Sequence, residues 1–213
     1  RGWAKRKVSQ NRMSIIEENN LRDTYLREYE EDEATQNYLN AVQNYPRLKG
    51  VPTNSYKCFL PQGWMFGEKE GITSFLHPEG VYDDSKGGEF RKELYPRLRG
   101  HYQFWNALFL FKEVHDQTIF SINIYRNSPS REVNFYTIAN LYAPSTVDAC
   151  FEHDGSGPVP GMRDENGDWN LKGHRKRIVT VDDEVLDLFA TLYNEEETPP
   201  REARLSAVHS QQI

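Results

Sequence analysis

The sequence predicts an α/β fold that follows a helical N-terminal segment. Short apolar runs bounded by glycine or proline, such as residues 72–76 (ITSFL), are typical of strands covered on both faces. Residues 118–125 (TIFSINIY) alternate apolar and polar side chains, which indicates a strand with one covered face. Other segments repeat apolar residues every three or four positions, which is the spacing of helices.

Composition limits the class of protein. The chain has 213 residues, enough for one domain with a core or for one and a half. Its net charge is −6, so any contact with nucleic acid must be local. Cys58 and Cys150 lie far apart in apolar contexts, which favours a reducing compartment over a disulfide framework or a zinc cluster. No run approaches the roughly 18 apolar residues of a membrane span, so we expect a cytoplasmic protein without one.

Helical spacing dominates residues 12–45, and we expect a helical insertion over residues 1–50. The acidic run 28–34 (EYEEDEA) predicts a corner between two helices. A short helix capped by Thr53 or Asn54 should follow. The chain lacks an initial methionine and stops inside a helical pattern, so we expect it to belong to a longer protein, here called the parent.

The middle of the chain alternates strand and helix patterns. After the strand at residues 72–76, an amphipathic helix is expected over residues 90–98, with Pro96 ending or kinking it. Residues 102–111 (YQFWNALFLF) predict a second strand. The N-cap of the helix has three candidates: Asp83, Asp84 and Ser85.

Further strands and one helix are predicted in the second half. Residues 118–125 and 133–139 (VNFYTIA) flank the turn-like segment 126–132, and we expect them to pair as a hairpin. Residues 177–181 (RIVTV) predict a strand. Residues 182–193 predict a helix with acidic residues in its first turn.

The signatures of a self-contained enzyme are missing. The sequence has no glycine-rich dinucleotide fingerprint, no phosphate-loop lysine and no serine nucleophile elbow. Its six histidines form no ligand pairs, so we expect no metal site. His115 and Asp116 are either an acid-base pair or a polar turn.

One dense basic cluster lies near the C-terminus. Its members are Lys172, His174, Arg175, Lys176 and Arg177. Such side chains suit DNA phosphates through charge and counterion release. A solvated loop is the alternative interpretation, and it explains the cluster equally well.

Taken in order, these segments resemble the second half of adenine-specific (N6) DNA methyltransferases of the restriction-modification and phage-defence type with a fused specificity region. The resemblance covers residues 52–178. Residues 54–84 (NSYKCFLPQGWMFGEKEGITSFLHPEGVYDD) resemble the helix and strand after the family's Asn-Pro-Pro-Tyr motif, and residues 87–99 (GGEFRKELYPRLR) resemble the next helix. Residues 101–126 resemble the closing pair of strands, and residues 138–151 and 159–178 resemble the connector toward the specificity region.

The resemblance implies a fold and a division into domains. The fold is the second half of a Rossmann-like methyltransferase sheet, with a strand, a helix, a strand and an antiparallel strand. Residues 51–143 are then the C-terminal half of the catalytic domain, and residues 144–213 the connector.

The resemblance also implies what this chain lacks. Family members bind S-adenosylmethionine through a glycine-containing loop after their first strand and polarise the adenine amino group with the Asn-Pro-Pro-Tyr turn. Neither feature is present in the sequence. The catalytic residues are therefore expected upstream of Arg1. S-adenosylmethionine is expected in the parent, with no cofactor and no methylation for this chain alone.

The loop after the strand at residues 72–76 is a candidate cleft wall. Ligands of open α/β sheets lie outside the carboxyl ends of the strands, so this loop should border the cleft for DNA or cofactor. Its candidate residues are His77, Pro78, Glu79 and Asp83. The alternative is that His77 and Pro78 only end the strand.

The family extracts its target adenine from the duplex and stacks it on an aromatic ring, because the exocyclic nitrogen is otherwise out of reach. That aromatic residue precedes the antiparallel closing strand, which makes Phe111 the first candidate and Phe109 the second. Most phenylalanines in such a run belong to a core. Strand alternation puts Phe109 and Phe111 on the same face, so only one of them need be functional.

The leading hypothesis is thus a fragment of a site-specific DNA adenine methyltransferase of restriction-modification or phage defence. Its partners would be double-stranded DNA and restriction or defence-system subunits, with no membrane. A second hypothesis is a non-catalytic nucleic-acid or protein interaction module that uses the basic cluster and the aromatic residues. A third is a structural helical insertion without a site of its own.

Overall fold

A computed structural model describes residues 5–51 and 54–211 of the chain. It has an α/β fold built on one five-stranded mixed sheet, with the order β1-β3-β2-β4-β5. The strands are β1 (Ile72–Pro78), β2 (Leu98–Trp105), β3 (Ile119–Arg126), β4 (Asn134–Leu141) and β5 (Val179–Asp182). The predicted α/β class is confirmed at this level.

The direction of the strands brings three strand ends together. β3 is antiparallel to both β1 and β2, so β1 and β2 run parallel to each other. Pro78 in β1 and Phe104 in β2 both lie opposite Phe120 in β3. β4 is parallel to β2. The last residues of β1, β2 and β4 therefore lie at one edge of the sheet, here called the carboxyl edge.

The described residues form seven α-helices. They are α1 (Lys5–Glu18), α2 (Arg22–Asn40), α3 (Ser55–Phe66), α4 (Gly80–Asp83), α5 (Gly88–Leu94), α6 (Ser145–Glu152) and α7 (Asp183–Tyr193). Short 3-10 turns lie at Pro46–Leu48, Asn106–Leu108, Arg175–Arg177 and Pro200–Glu202. In these parts of the chain, no helix has the length and hydropathy needed to cross a membrane.

The sheet is covered on its two faces by different elements. On one face, Trp64 of α3, Leu94 of α5 and Leu186 of α7 pack in the main core with Tyr125. On the other face, Cys150 of α6 packs in a second, smaller cluster whose other buried members are Phe104, Phe120, Ile138, Leu141 and Ile178. This second face stays open over β1, where Ile72 and Leu76 are 60% and 53% exposed.

Several local predictions are confirmed. Asn54 caps α3, since its side chain accepts a hydrogen bond from the Tyr56 amide. α5 ends at Leu94, two residues before Pro96. The predicted C-terminal strand and helix are β5 and α7, and the side chain of Asp182 caps α7 by accepting from the Val185 amide at 2.9 Å.

Two predicted helix boundaries are wrong. The acidic run 28–34 lies inside α2, and the corner between α1 and α2 is at Asn20, whose φ is +53°. The acidic side chains stay exposed, and a solvated charged face does not interrupt a helix. The N-cap of α5 is Gly87. Asp83 instead ends α4, and Asp84 follows it.

The predicted hairpin is also wrong. β3 and β4 are not neighbours, because β2 lies between them. The chain leaving β3 crosses the start of β2, where the Arg126 amide donates to the Arg97 carbonyl and the Ser130 amide to the Pro96 carbonyl. These bonds lead the chain past β2, so β4 pairs with β2 in the parallel direction.

The apolar run 107–111 does not extend the second strand. β2 ends at Trp105, a 3-10 turn follows over Asn106–Leu108, and Phe109 adopts the left-handed conformation at φ +52°. A short polar side chain that bonds to nearby backbone competes with strand pairing, and Asn106 does so here. The expectation that Phe109 and Phe111 share one face of a strand is therefore wrong.

Candidate functional site

Three connections leave the carboxyl edge: the loop after β1, the loop 106–118 after β2, and the long connection from β4 to β5. β1 and β2 are separated only by β3, which is a distance of about 10 Å, or two interstrand spacings. β4 is the next strand after β2. The fold thus gathers the candidate residues at one edge, although they are far apart in sequence.

His77 lies inside the fold and not in the cleft. It is buried, its Nδ1 donates to the Pro78 carbonyl at 2.8 Å, and its Nε2 lies 3.0 Å from the Tyr125 hydroxyl. Burial lowers the pKa of His77. The neutral ring also stacks on Tyr56, with centroids 5.5 Å apart. His77 therefore supports the loop from below.

Glu79 is the centre of a buried polar cluster. His101 Nε2 lies 3.2 Å from both carboxylate oxygens, and Gln103 Nε2 donates to Oε2 at 2.9 Å. Burial by itself would raise the pKa of Glu79. The charge and hydrogen bond of His101, with hydrogen bonds from Ser121 and Gln103, nevertheless bring that pKa down to about 2. Glu79 is thus a carboxylate at neutral pH.

The same cluster has the connectivity of a charge relay. His101 contacts Glu79 through Nε2 and the Thr137 hydroxyl through Nδ1, at 2.8 Å. A nucleophile must reach its substrate, but Thr137 and His101 are each only 2% exposed. We therefore assign the cluster a structural role: it ties the end of β1 to β2 and β4.

Pro78 and Asp83 face a shallow open pocket beside the cluster. Its other lining residues are Asn54, Tyr56, Lys57, Gly80 and Asp84. Lys57 Nζ pairs with Asp84 Oδ2 at 2.9 Å. Burial, followed by the charges of Glu79, Asp84 and Asp83, raises the pKa of Tyr56 to about 12, so the wall presents a neutral phenol. Of the four predicted cleft residues, only Pro78 and Asp83 reach this pocket.

The loop 106–118, here called the aromatic loop, is held in shape by Asn106. This side chain is fully buried. Its Nδ2 donates to the carbonyls of Phe111 at 2.9 Å and Val114 at 2.7 Å, and its Oδ1 accepts from the Phe111 amide at 2.9 Å. The Asn106 amide donates to the Thr118 carbonyl and closes the loop at its base. One side chain therefore fixes the path of the loop.

The aromatic loop presents apolar side chains to solvent. Five of its residues are more than a third exposed: Leu108 at 45%, Phe109 at 54%, Leu110 at 38%, Phe111 at 41% and Val114 at 37%. Phe111 touches the sheet through an edge contact with Phe120, with ring centroids 5.1 Å apart. Both candidate phenylalanines thus lie outside the core, and contiguous exposed apolar groups mark binding surfaces.

The basic cluster is divided by burial. Arg177 is buried, and its guanidinium donates to the carbonyls of Ala139 and Asn140 at the end of β4 and of Lys172. His174 is also buried and caps the turn Arg175–Arg177. Arg177 and His174 hold the segment in place, so neither is available to bind a DNA phosphate.

The remaining basic residues lie close to the carboxyl edge. Lys172 and Arg175 are exposed, and Lys176 is half-buried. Gly173 lets the segment pass directly over α6, because a Cβ there would lie 2.3 Å from the Ala149 carbonyl carbon. Since Arg177 anchors the segment to the end of β4, these cations lie at the same edge as the aromatic loop.

His115 and Asp116 form an exposed contact, with Nδ1 and Oδ1 2.9 Å apart. His115 Nδ1 also accepts from the Gln117 amide, which is the geometry of a polar turn at the end of the aromatic loop. In residues 5–51 and 54–211, no three His, Cys, Asp or Glu side chains are arranged to hold a metal ion.

Sequence reasoning missed three parts of the edge. Asn106 could have been found as an asparagine that interrupts an apolar run, and His101 and Gln103 as polar residues inside a strand. The third part is a stack of three side chains. Arg163 Cζ lies 3.3 Å from the ring centroid of Trp169, and the ring centroids of Trp169 and Tyr142 are 4.3 Å apart. Its only sequence signal was the Asn166-Gly167 turn between Arg163 and Trp169.

The chain matches no protein-family model, and no curated protein sequence is significantly similar to it. Its function is therefore inferred from the geometry of the carboxyl edge, where the fold brings together a rigid aromatic loop, an open pocket and exposed cations.

Proposed function

We propose that this chain is the second half of the catalytic domain, with its connector, of a site-specific DNA adenine methyltransferase in restriction-modification or phage defence. The observation that carries the proposal is the position of β3. It is antiparallel, lies between the parallel strands β1 and β2, and is entered through an exposed aromatic loop at the carboxyl edge. The resemblance implies such an antiparallel closing strand with a base-stacking aromatic residue before it.

The aromatic loop supports the chemistry that the proposal requires. An adenine inside a duplex hides its amino group in a base pair, so the enzyme must take the base out of the stack and hold it by a flat surface. Phe111 is exposed, precedes β3, and is held from below by Phe120. We assign Phe111 to the face of the extracted adenine.

The exposed cations support a duplex as the substrate. Lys172 and Arg175 lie beside the edge from which the aromatic loop projects, and their charges attract phosphates in a chain that is acidic overall. The proposal places the parent in the cytoplasm with its DNA, and restriction or defence-system subunits would be further partners.

S-adenosylmethionine would supply the methyl group, and the described residues at the turn after β1 do not fit it. The turn after β1 offers no open backbone cradle: a Cβ at Gly80 would lie 2.9 Å from the Tyr56 hydroxyl, and Glu79 points into its buried cluster. In the proposal, residues upstream of this chain in the parent therefore bind the cofactor and polarise the adenine amino group.

The proposal is tested by methyl transfer with the parent. The purified parent, incubated with S-adenosylmethionine labelled in its methyl group and unmethylated DNA, should place the label on adenine N6, as mass spectrometry of the digested nucleosides would show. Label on cytosine, or no label on DNA, would contradict it. This chain alone should bind S-adenosylmethionine negligibly in calorimetric titration.

A salt titration tests the basic residues. Replacing Lys172 and Arg175 by glutamine in the parent should weaken binding to DNA of every sequence and flatten its dependence on salt by about one unit for each phosphate that is no longer neutralised. Lys69→Gln is the matched control, because Lys69 is exposed just before β1, at the opposite edge. If the double variant keeps the slope of the control, the segment is a solvated loop.

A non-catalytic interaction module is the second candidate. The open sheet face over β1, with exposed Ile72 and Leu76, favours it, since such faces bind other protein segments. The two candidates differ in one result: a module binds DNA or protein but transfers no methyl group.

A further inference from the structure

The two exposed phenylalanines of the aromatic loop occupy different positions. Phe111 lies edge-on against Phe120 and so belongs to the wall of the site. Within the part of the chain that the structure describes, no ring contact of this kind involves Phe109, whose side chain is the most exposed apolar group of the loop at 54%. If Phe111 supports the extracted base, a second role is open for Phe109.

The backbone holds Phe109 outward against its preference. Its φ of +52° lies in the left-handed region, which bulky residues rarely adopt. The conformation follows the turn Asn106–Leu108, and the Phe109 amide donates to the Asn106 carbonyl at 2.7 Å. Such strained positions persist only where the surroundings fix them, and they concentrate at functional sites.

The loop is rigid enough to push against a ligand. Asn106 fixes its interior by bonds to Phe111 and Val114, and the base is closed between Asn106 and Thr118. Leu108 and Leu110 flank Phe109 and are themselves exposed. The loop therefore presents a narrow apolar projection with one aromatic ring at its most exposed point.

We propose that Phe109 is a wedge that enters the DNA duplex at the target step and fills the space left by the extracted adenine. The inference rests on the proposed function and adds a second contact to it. Apolar side chains that enter base steps offset the cost of unstacking. Lys172 and Arg175 at the same edge would hold the flanking phosphates, so the ligand of the projection is the duplex and not another protein.

A wedge at Phe109 and a stacking surface at Phe111 predict different responses to the loss of the base opposite the target adenine. The recognition site of the parent is first located by mapping N6-methyladenine in genomic DNA. Methylation is then measured on two duplexes with this site, one fully paired and one with an abasic position opposite the target adenine. The abasic duplex has already lost the base pair, so extraction from it needs little help.

Phe109→Ala should methylate the paired duplex about tenfold to a hundredfold more slowly than the unsubstituted parent, because unstacking is no longer offset. It should recover most of that rate on the abasic duplex. Phe111→Ala should stay slow on both duplexes. Phe66→Ala is the matched control, since Phe66 is 79% exposed at the end of α3 and away from the carboxyl edge.

Three results would overturn the wedge. Phe109→Ala could methylate the paired duplex as fast as the Phe66→Ala control, or remain equally slow on the abasic duplex. It could also lower the melting temperature of the parent but not of this chain, which would place Phe109 in a protein interface. Each of these leaves the unsubstituted parent active, whereas a failure of the proposed function leaves the parent itself unable to methylate DNA, and the wedge fails with it.

Discussion

Phe111→Ala in the parent is expected to lower methylation about tenfold to a hundredfold while the melting temperature stays unchanged. A base that loses one aromatic stacking partner loses about 1–3 kcal/mol of binding, and about 1.4 kcal/mol is a factor of ten. Stability should change little, because Phe111 is 41% exposed and its ring meets Phe120 of the sheet in an edge contact. Phe111→Trp should retain part of the activity, since the flat surface remains.

Phe104→Ala is the contrasting variant. Phe104 is 1% exposed and also contacts Phe120, on whose ring it stacks with centroids 5.8 Å apart. Its loss should cost about 3–5 kcal/mol of unfolding free energy through the cavity it leaves. If Phe111→Ala lowers the melting temperature as Phe104→Ala does, Phe111 is part of the packing and the stacking assignment fails.

Glu79→Gln is expected to destabilise this chain by about 3 kcal/mol at neutral pH, because the pKa of Glu79 falls from 4.5 to about 2 in the folded chain. The depressed pKa means that the folded chain prefers the carboxylate. Its stabilisation is therefore complete above the unfolded pKa of 4.5 and is lost as the pH falls toward 2. The difference between Glu79→Gln and the unsubstituted chain should narrow over this range.

Urea unfolding of both proteins between pH 7 and pH 3 measures this difference. Glu30→Gln serves as the control, because Glu30 is an exposed carboxylate on α2. It should unfold like the unsubstituted chain at each pH. A gap between Glu79→Gln and the unsubstituted chain that stays constant with pH would mean that the Glu79 carboxylate is not paired with His101 in solution.

The pattern of single segments was enough to predict where most elements lie. Three such patterns are the alternation in residues 118–125, the apolar run at 72–76 and the acidic start of α7. Each can be predicted locally, because the spacing of apolar residues in a segment indicates which of its faces is buried. The same holds for Asn54, whose side chain caps the helix that begins at the next residue by accepting from the Tyr56 amide.

Strand order and the roles of the polar residues were decided only by the tertiary structure. β3 was expected to pair with β4, but the bonds from Arg126 and Ser130 to the start of β2 lead the chain elsewhere. Arg177 looked like a phosphate ligand until the fold placed it against the carbonyl of Ala139, 38 residues earlier. Both outcomes depend on contacts between distant parts of the chain, and a buried arginine has the same local sequence as an exposed one.

The aromatic loop combines the two kinds of information. The sequence alone shows that Phe109 and Phe111 precede the strand at residues 118–125, and the resemblance gave one of them a role. Whether their side chains are exposed or buried was not decided by the sequence. Only the folded chain shows that Asn106 ends β2 and turns Phe109 and Phe111 outward. An apolar run favours a strand by its composition, but a buried amide that bonds to the backbone of residues 111 and 114 stabilises a loop more than strand pairing would.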